Sequence, residues 1–158
     1  MSSPEPKERK EKVVCHNRKA RHDFFIEKSL EAGVALVGSE VKSLREGRAH
    51  LNEAYVDIVK GQAFLVGAHI SPYGNATHVQ HDPLRTRKLL LSRQEIKKYE
   101  REVSLKGQTL IPLKIYFKGP YAKIEIALAK GKKSYDKRED IKKKDVERDL
   151  RRMGKKLE

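Results

Sequence analysis

Six histidines and a single cysteine are the side chains best suited to metal or nucleophilic chemistry in this chain of 158 residues. His78 and His81 stand three apart with Asp82 adjacent, but they fall in a loop pattern before Pro83. A zinc-type site needs a third and usually a fourth ligand from elsewhere, so they read better as loop histidines. Gly131-Lys132-Lys133-Ser134 resembles a fragment of a phosphate loop. The first glycine of that motif would fall on Ile126, and Lys133 occupies the position that requires Ser or Thr. Cys15 has no partner for a disulfide and no evident activating context. Glu139-Asp140 sits among lysines, a pattern of helix surface rather than of acid–base machinery. No catalytic constellation forms, no cofactor or metal is expected, and the chain reads as a binding protein rather than an enzyme.

The basic residues are more informative. Lys and Arg number 36 against 22 Asp and Glu, a net charge of +14. Such an excess points to a polyanionic partner. Arg18, Lys19 and Arg21 form one cluster, and Lys42 and Arg45 share a helix face. Arg85, Arg87 and Lys88 precede Leu89-Leu90-Leu91. Tyr55, Tyr73, Tyr99, Tyr116 and Tyr121 are available either for base stacking or for a core. Together these favour RNA or single-stranded nucleic acid. No apolar run approaches the roughly 18 residues of a membrane helix, the charged N-terminus lacks a signal-peptide core, and a cytoplasmic, membrane-free protein is expected.

The elements that must carry these clusters follow mostly a period of two. Leu113, Ile115 and Phe117 alternate with polar or aromatic neighbours, as do Ala122, Ile124, Ile126 and Leu128, and Gly119-Pro120 between them marks a hairpin. A second hairpin spans 55–67 around Lys60-Gly61-Gln62, and a third joins 24–29 to 33–38 through Glu31-Ala32-Gly33. Ser39 is placed as the cap of a short helix ended by Gly47, and Ser92-Arg93-Gln94-Glu95 is a capping box for a second. The expected fold is mainly β with helices: an antiparallel β-barrel related to the oligonucleotide-binding fold, with about six strands and three helices. Residues 1–12, with two prolines and seven charges, are expected to be a disordered arm before a barrel domain at 13–130.

Residues 131–158 form a basic C-terminal tail. From Lys130 onward there are 13 basic and 7 acidic residues. On a helix, Lys137, Lys144, Arg148, Arg151 and Lys155 share one face, opposite Tyr135, Val146, Leu150, Met153 and Leu157. So thin an apolar stripe does not hold an isolated helix folded. The tail is expected to be disordered when free and helical against RNA.

Several strings carry a family resemblance: Asn17-Arg18-Lys19-Ala20-Arg21-His22, Gly38-Ser39-Glu40-Val41-Lys42-Ser43-Leu44-Arg45, and His69-Ile70-Ser71-Pro72-Tyr73. Further on come Arg87-Lys88-Leu89-Leu90-Leu91, Pro112-Leu113-Lys114-Ile115-Tyr116-Phe117, and Gly131-Lys132-Lys133 followed by Tyr135-Asp136-Lys137-Arg138. In this order, over about residues 16–155, they resemble the bacterial SsrA-binding (small protein B) family. That resemblance implies a protein that binds the tRNA-like domain of transfer-messenger RNA and delivers it to stalled 70S ribosomes for trans-translation. The complex would also hold alanyl-charged transfer-messenger RNA and elongation factor Tu, with the protein as a monomer. The body would stand in for the missing anticodon arm. The tail would probe the 16S rRNA of the decoding centre and the empty messenger channel.

Residue by residue, the resemblance places Glu31 and Leu90 at body positions linked to RNA binding; Asn17 and His22, in the matching string, and the basic clusters read from charge are expected RNA-binding residues beside them. Ser92 occupies a position that is often His or Asn in the family. Gly131, Lys132, Lys133, Asp136, Lys137 and Arg138 match the tail motif, and Tyr135 falls where relatives carry an aromatic residue or His. Alternatives from other classes are a general structured-RNA-binding or ribosomal protein and a small ribonuclease.

Overall fold

The computed structural model describes residues 10–74, 80–132 and 134–156, with the side chains of the last segment described at 138, 139 and 141–152. The sheet contains β1 (Glu11–His16), β2 (Phe24–Val34), β4 (Tyr55–Val59), β5 (Gln62–Val66), β7 (Arg87–Leu90), β8 (Thr109–Lys118) and β9 (Tyr121–Gly131). The two-residue strands β3 (Ala49–His50) and β6 (His69–Ile70) pair separately. All pairings are antiparallel. The order β8-β4-β5-β7-β2-β9 closes because β9 returns to β8. Closure removes exposed strand edges. Strand β1 lies on the stretch of β8 beyond its single register pair with β4, Val56 to Leu110.

The barrel interior is filled by inward positions of successive strands: Val56, Leu65, Leu89, Leu110, Ile115, Ile124, Ile126 and Leu128, all buried. Two helices plug the fold. Leu44 of α2 (Gly38–Arg45) and Tyr99 of α3 (Arg93–Lys106) enter the same core. A bulge between Pro112 and Lys114 changes the face on which β8 side chains fall. Ile111 and Leu113 therefore pack on a satellite cluster with Ala20 and Ala129 near α1 (Ala20–Asp23), whereas Ile115 and Phe117 stay with the main core.

The hairpin of 113–128, both internal helices and the 55–67 hairpin stand as expected; in the alternation, Leu113 is the exception just described, and Tyr116 and Ala127, expected on the outward face, are buried. Three expectations change. The segments 24–29 and 33–38 are not a hairpin: β2 is one strand of 11 residues through Glu31-Ala32-Gly33. Gly33 is needed for close approach, since a Cβ there would lie 3.1 Å from Leu90 Cβ. Helix α2 is capped at Val37, whose N–H donates to Glu40 Oε1 at 2.9 Å, while the Ser39 hydroxyl pairs with His81. Glu11 and Lys12 belong to β1, opposite Lys118 and Phe117, so the ordered body reaches two residues further back than the sequence pattern indicates. Residues 1–9 of the expected arm lie outside the described residues.

Helix α4 (Ser134–Lys156) continues the chain for 23 residues. Its described side chains are exposed throughout, including Ile141, Val146 and Leu150.

Candidate nucleic-acid interface

Strand β7 presents alternate side chains to opposite sides of the barrel wall. Lys88 and Leu90 point out, and Leu90 is 56% exposed. They line an open groove of about 720 Å³ with Lys60 and Gly61 of the β4–β5 turn and with Arg93, Ile96 and Lys97 of α3. Each position has a local cause. Lys60 (φ 51°) and Gly61 (φ 73°) form the tight two-residue turn that brings β4 back as β5. Ser92 caps α3, accepting from Glu95 N–H at 3.2 Å, while its hydroxyl donates to Glu95 Oε1 at 3.0 Å. That cap fixes the helix start, and Arg93 and Lys97, four apart, face the groove from the first turns. The groove is a half-apolar floor ringed by four cations, suited to a ribose-phosphate chain with a base laid on Leu90.

A second groove of about 430 Å³ is lined by His16, Asn17, Arg18, Arg21, Leu113, Lys114 and Glu125. In the ring order, the β8–β9 wall stands opposite the β5–β7 wall. The barrel thus carries cationic grooves on two opposed walls. Asn17 is a structural hinge of this one: its side-chain amide donates to Pro112 O at 2.9 Å and its N–H to Leu113 O at 2.7 Å. His22 Nδ1 lies 2.9 Å from Asp23 Oδ1. Lys19 is exposed on the same α1 segment.

Lys42 and Arg45 are exposed on α2. Each lies over an aromatic ring, Lys42 Nζ at 5.5 Å from Tyr73 and the Arg45 guanidinium at 4.8 Å from Phe117. Glu31, on the outer face of β2, accepts a hydrogen bond from the Tyr116 hydroxyl and has Lys118 Nζ at 3.5 Å. The Tyr116 bond, aided by the charges of Lys118 and Lys123, holds its carboxyl below the usual value against a smaller opposing effect of burial. Burial, reinforced by Glu31, pushes the Tyr116 hydroxyl up. The carboxylate is thus kept ionised and oriented beside two lysines, ready to accept from a base or a 2′-hydroxyl.

Arg87 is a correction. Expected on a wet face, it is fully buried. Its Nε donates to Glu40 Oε2, its Nη1 to Ala68 O at 2.8 Å and its Nη2 to Pro83 O at 3.2 Å. Arg85, 37% exposed at the side chain, closes the other carboxylate oxygen at 2.6 Å. Burial pushes Glu40 upward, but Arg85, the Val37 N–H and Arg87 outweigh it and its carboxyl lies below the ordinary range. Both arginines hold α2 through Glu40; Arg87, buried, is not laid out for a ligand, whereas Arg85 keeps an exposed side on the groove beside Val37 and Ser39. His81 is also structural: Nδ1 pairs with the Ser39 hydroxyl and Nε2 with Ile70 O, both at 2.8 Å. His78 lies outside the described residues. Among the tyrosines, Tyr99 and Tyr116 are core, while Tyr55 and Tyr121 are more than 40% exposed.

Sequence reasoning missed Lys60, Arg93, Lys97 and Lys114. The spacing of Arg93 and Lys97 behind a recognised cap was a usable signal. Lys60 and Lys114 reach their grooves only through strand pairing. Of the tail residues, Gly131 ends β9 and Lys132 packs on the body, while Arg138, Lys144, Arg148 and Arg151 are exposed on α4. Arg148 is 3.6 Å from Asp145. Lys133 and the side chains of Tyr135, Asp136, Lys137 and Lys155 lie outside the described residues.

Closed antiparallel barrel, helical plugs and opposed cationic grooves define a barrel of the oligonucleotide-binding kind built to meet a polyanion. Residues 14–156 match the family described as SmpB protein, and the chain belongs to that family. It is 52% identical over 141 residues to the SsrA-binding protein of Geobacillus thermodenitrificans, covering 89% of this chain and 91% of the relative. It is 53% identical over 140 residues to that of Geotalea uraniireducens, covering 89% and 93%. A solved structure described as "tmRNA-SmpB: a journey to the center of the bacterial ribosome" contains a chain superposable at a TM-score of 0.65 with 44% identity, covering 76% of this chain and 85% of that one.

Proposed function

We propose that the protein binds the tRNA-like domain of transfer-messenger RNA and brings it to stalled bacterial ribosomes in the cytoplasm, acting by binding and not by catalysis. The observation that carries this reading is the groove of Lys60, Lys88, Leu90, Arg93 and Lys97 on one barrel wall, in a chain whose relatives are named for binding SsrA. The opposed groove at Arg18, Arg21 and Lys114 gives the same body a second polyanion-facing side, as a protein wedged between an RNA and a ribosome requires. Glu31, flanked by Lys118, supplies a fixed acceptor that a uniform basic patch lacks.

The tail serves a different step. Helix α4 buries none of its described side chains, so little holds it folded away from a partner. It exchanges between helix and coil in the free protein and becomes fixed when its Lys144, Arg148 and Arg151 face meets rRNA phosphates in the decoding centre and messenger channel.

The test is pull-down of the full chain from bacterial lysate with sequencing of the bound RNA, followed by tagging on stalled ribosomes. One stoichiometric RNA with a tRNA-like end and no turnover is expected; cleavage of that RNA would favour a ribonuclease, and retention on translating ribosomes a ribosomal protein. Deletion of 131–158, which removes the end of β9, Lys132 with its contacts to α1, and α4, is expected to keep RNA binding and abolish tagging.

A further inference from the structure

The first lysine of the tail is held by the body. Lys132 N–H donates to Asp23 O at 2.8 Å, extending the β2–β9 ladder one step past the Phe24–Gly131 pair. Its side chain turns back: Nζ donates to Arg21 O at 2.9 Å and lies 4.9 Å from the centre of the Phe25 ring. Arg21 is in the last turn of α1, where helix carbonyls lack an intrahelical donor and a cation is favoured. Phe25, 45% exposed on the outer face of β2, supplies the ring that covers the ammonium. Helix α4 starts at Ser134, two residues further on.

We propose that Lys132 is a positioning residue: it clamps the root of the tail to α1 and β2 and so sets the direction in which α4 leaves the barrel. The functional half rests on the tail role proposed above; the clamp itself does not. A backbone bond alone leaves the chain free to swing about one point. The ammonium adds a second fixed point on a different element, and the ring a third. A tail aimed before it meets its site loses less freedom on docking. A phosphate-binding lysine would need its ammonium free, whereas here the ammonium is engaged inside the molecule.

The experiment uses the full chain in a Cys15→Ser background, spin-labelled on α3 at Ser104 and near the start of α4 at Glu139, so that the label follows the root of the tail, with Lys132 retained or changed to Met or Arg. Lys132→Met is expected to give a distance distribution about twofold wider and tagging on stalled ribosomes reduced about tenfold. Lys132→Arg, which can donate to a carbonyl and stack on a ring, is expected to restore both. An unchanged distribution in Lys132→Met overturns the clamp. A widened distribution with normal tagging overturns its role in aiming the tail. Tagging lost with an unchanged distribution assigns Lys132 to a direct rRNA contact and also overturns it. A parent protein that supports no tagging defeats the proposed function instead, while the distance measurement still decides the clamp.

Discussion

Arg87 and Lys88 are neighbours on one strand, and they belong to two different parts of the molecule. Arg87 faces the seam between α2 and β7, with Glu40 and Arg85, where every charged group has a partner and Arg87 and Glu40 are shut off from water. Lys88 faces the groove between β5, β7 and α3, with Lys60, Arg93 and Lys97, where positive charges gather around Leu90. Charge of one sign therefore does opposite work on the two sides of a single wall. In the seam it is neutralised and holds elements together; in the groove it is gathered on one open wall, as the proposed RNA contact requires.

The largest effect is expected from Arg87→Ala, which strands the Glu40 carboxylate in the interior. Breaking a buried pair from one side costs about 3–5 kcal/mol, and thermal melting should fall accordingly. Lys88→Ala should change stability by no more than about 0.5 kcal/mol. Equal melting temperatures for the two variants would erase the distinction between seam and groove.

In the groove, Lys88→Ala combined with Lys97→Ala should weaken binding of transfer-messenger RNA about tenfold and reduce the slope of log affinity against log salt by about 1–2. Titration at several salt concentrations measures both. An unchanged slope would move the RNA to another wall.

Acid separates the regions a third way. The folded Glu40 carboxyl lies below its ordinary 4.5. A group of that kind stabilises the fold above its unfolded value, and the contribution is lost as pH falls through the folded value. The seam should therefore be fully intact at neutral pH and weaken below pH 4.5, as followed by melting temperature against pH. Glu40→Gln, destabilising at neutral pH, should flatten that acid-dependent fall. The smallest effect is expected from Gly33→Ala: its Cβ would press on Leu90, lowering RNA affinity a few-fold with a stability change within about 1 kcal/mol.

What the sequence made legible was what local spacing controls. Ser92 and Glu95 stand three apart, so the cap of α3 was readable, as were the hairpins with Gly119 and Gly61 in their turns. Glu40 is 47 positions from Arg87, and no spacing rule links them; a cluster containing Arg87 then looks as wet as one containing Lys88. Gly33 misled for a related reason. A glycine beside Glu31 and Ala32 has the pattern of a turn, while its actual cause is a leucine on another strand. Strand β1 offers too short and mixed a pattern to be seen, and β3 and β6, two residues each, exist only because they meet. The clusters at Arg18 and Lys42 were placed correctly on the surface, but which wall each faced depended on ring order.

The closure of the ring has a mechanical side. Five of its six junctions are ladders of two or more register pairs, whereas β4 meets β8 only at Val56 and Leu110. Under load, a closed band parts at its narrowest weld. Strain delivered to the barrel while a large machine shifts around it would concentrate at that junction, and amide protons there should exchange earliest among the barrel strands. That junction stands between the two cationic walls, sharing β8 with one and joined to the other through β4 and β5, so flexing there would change the angle between the two faces.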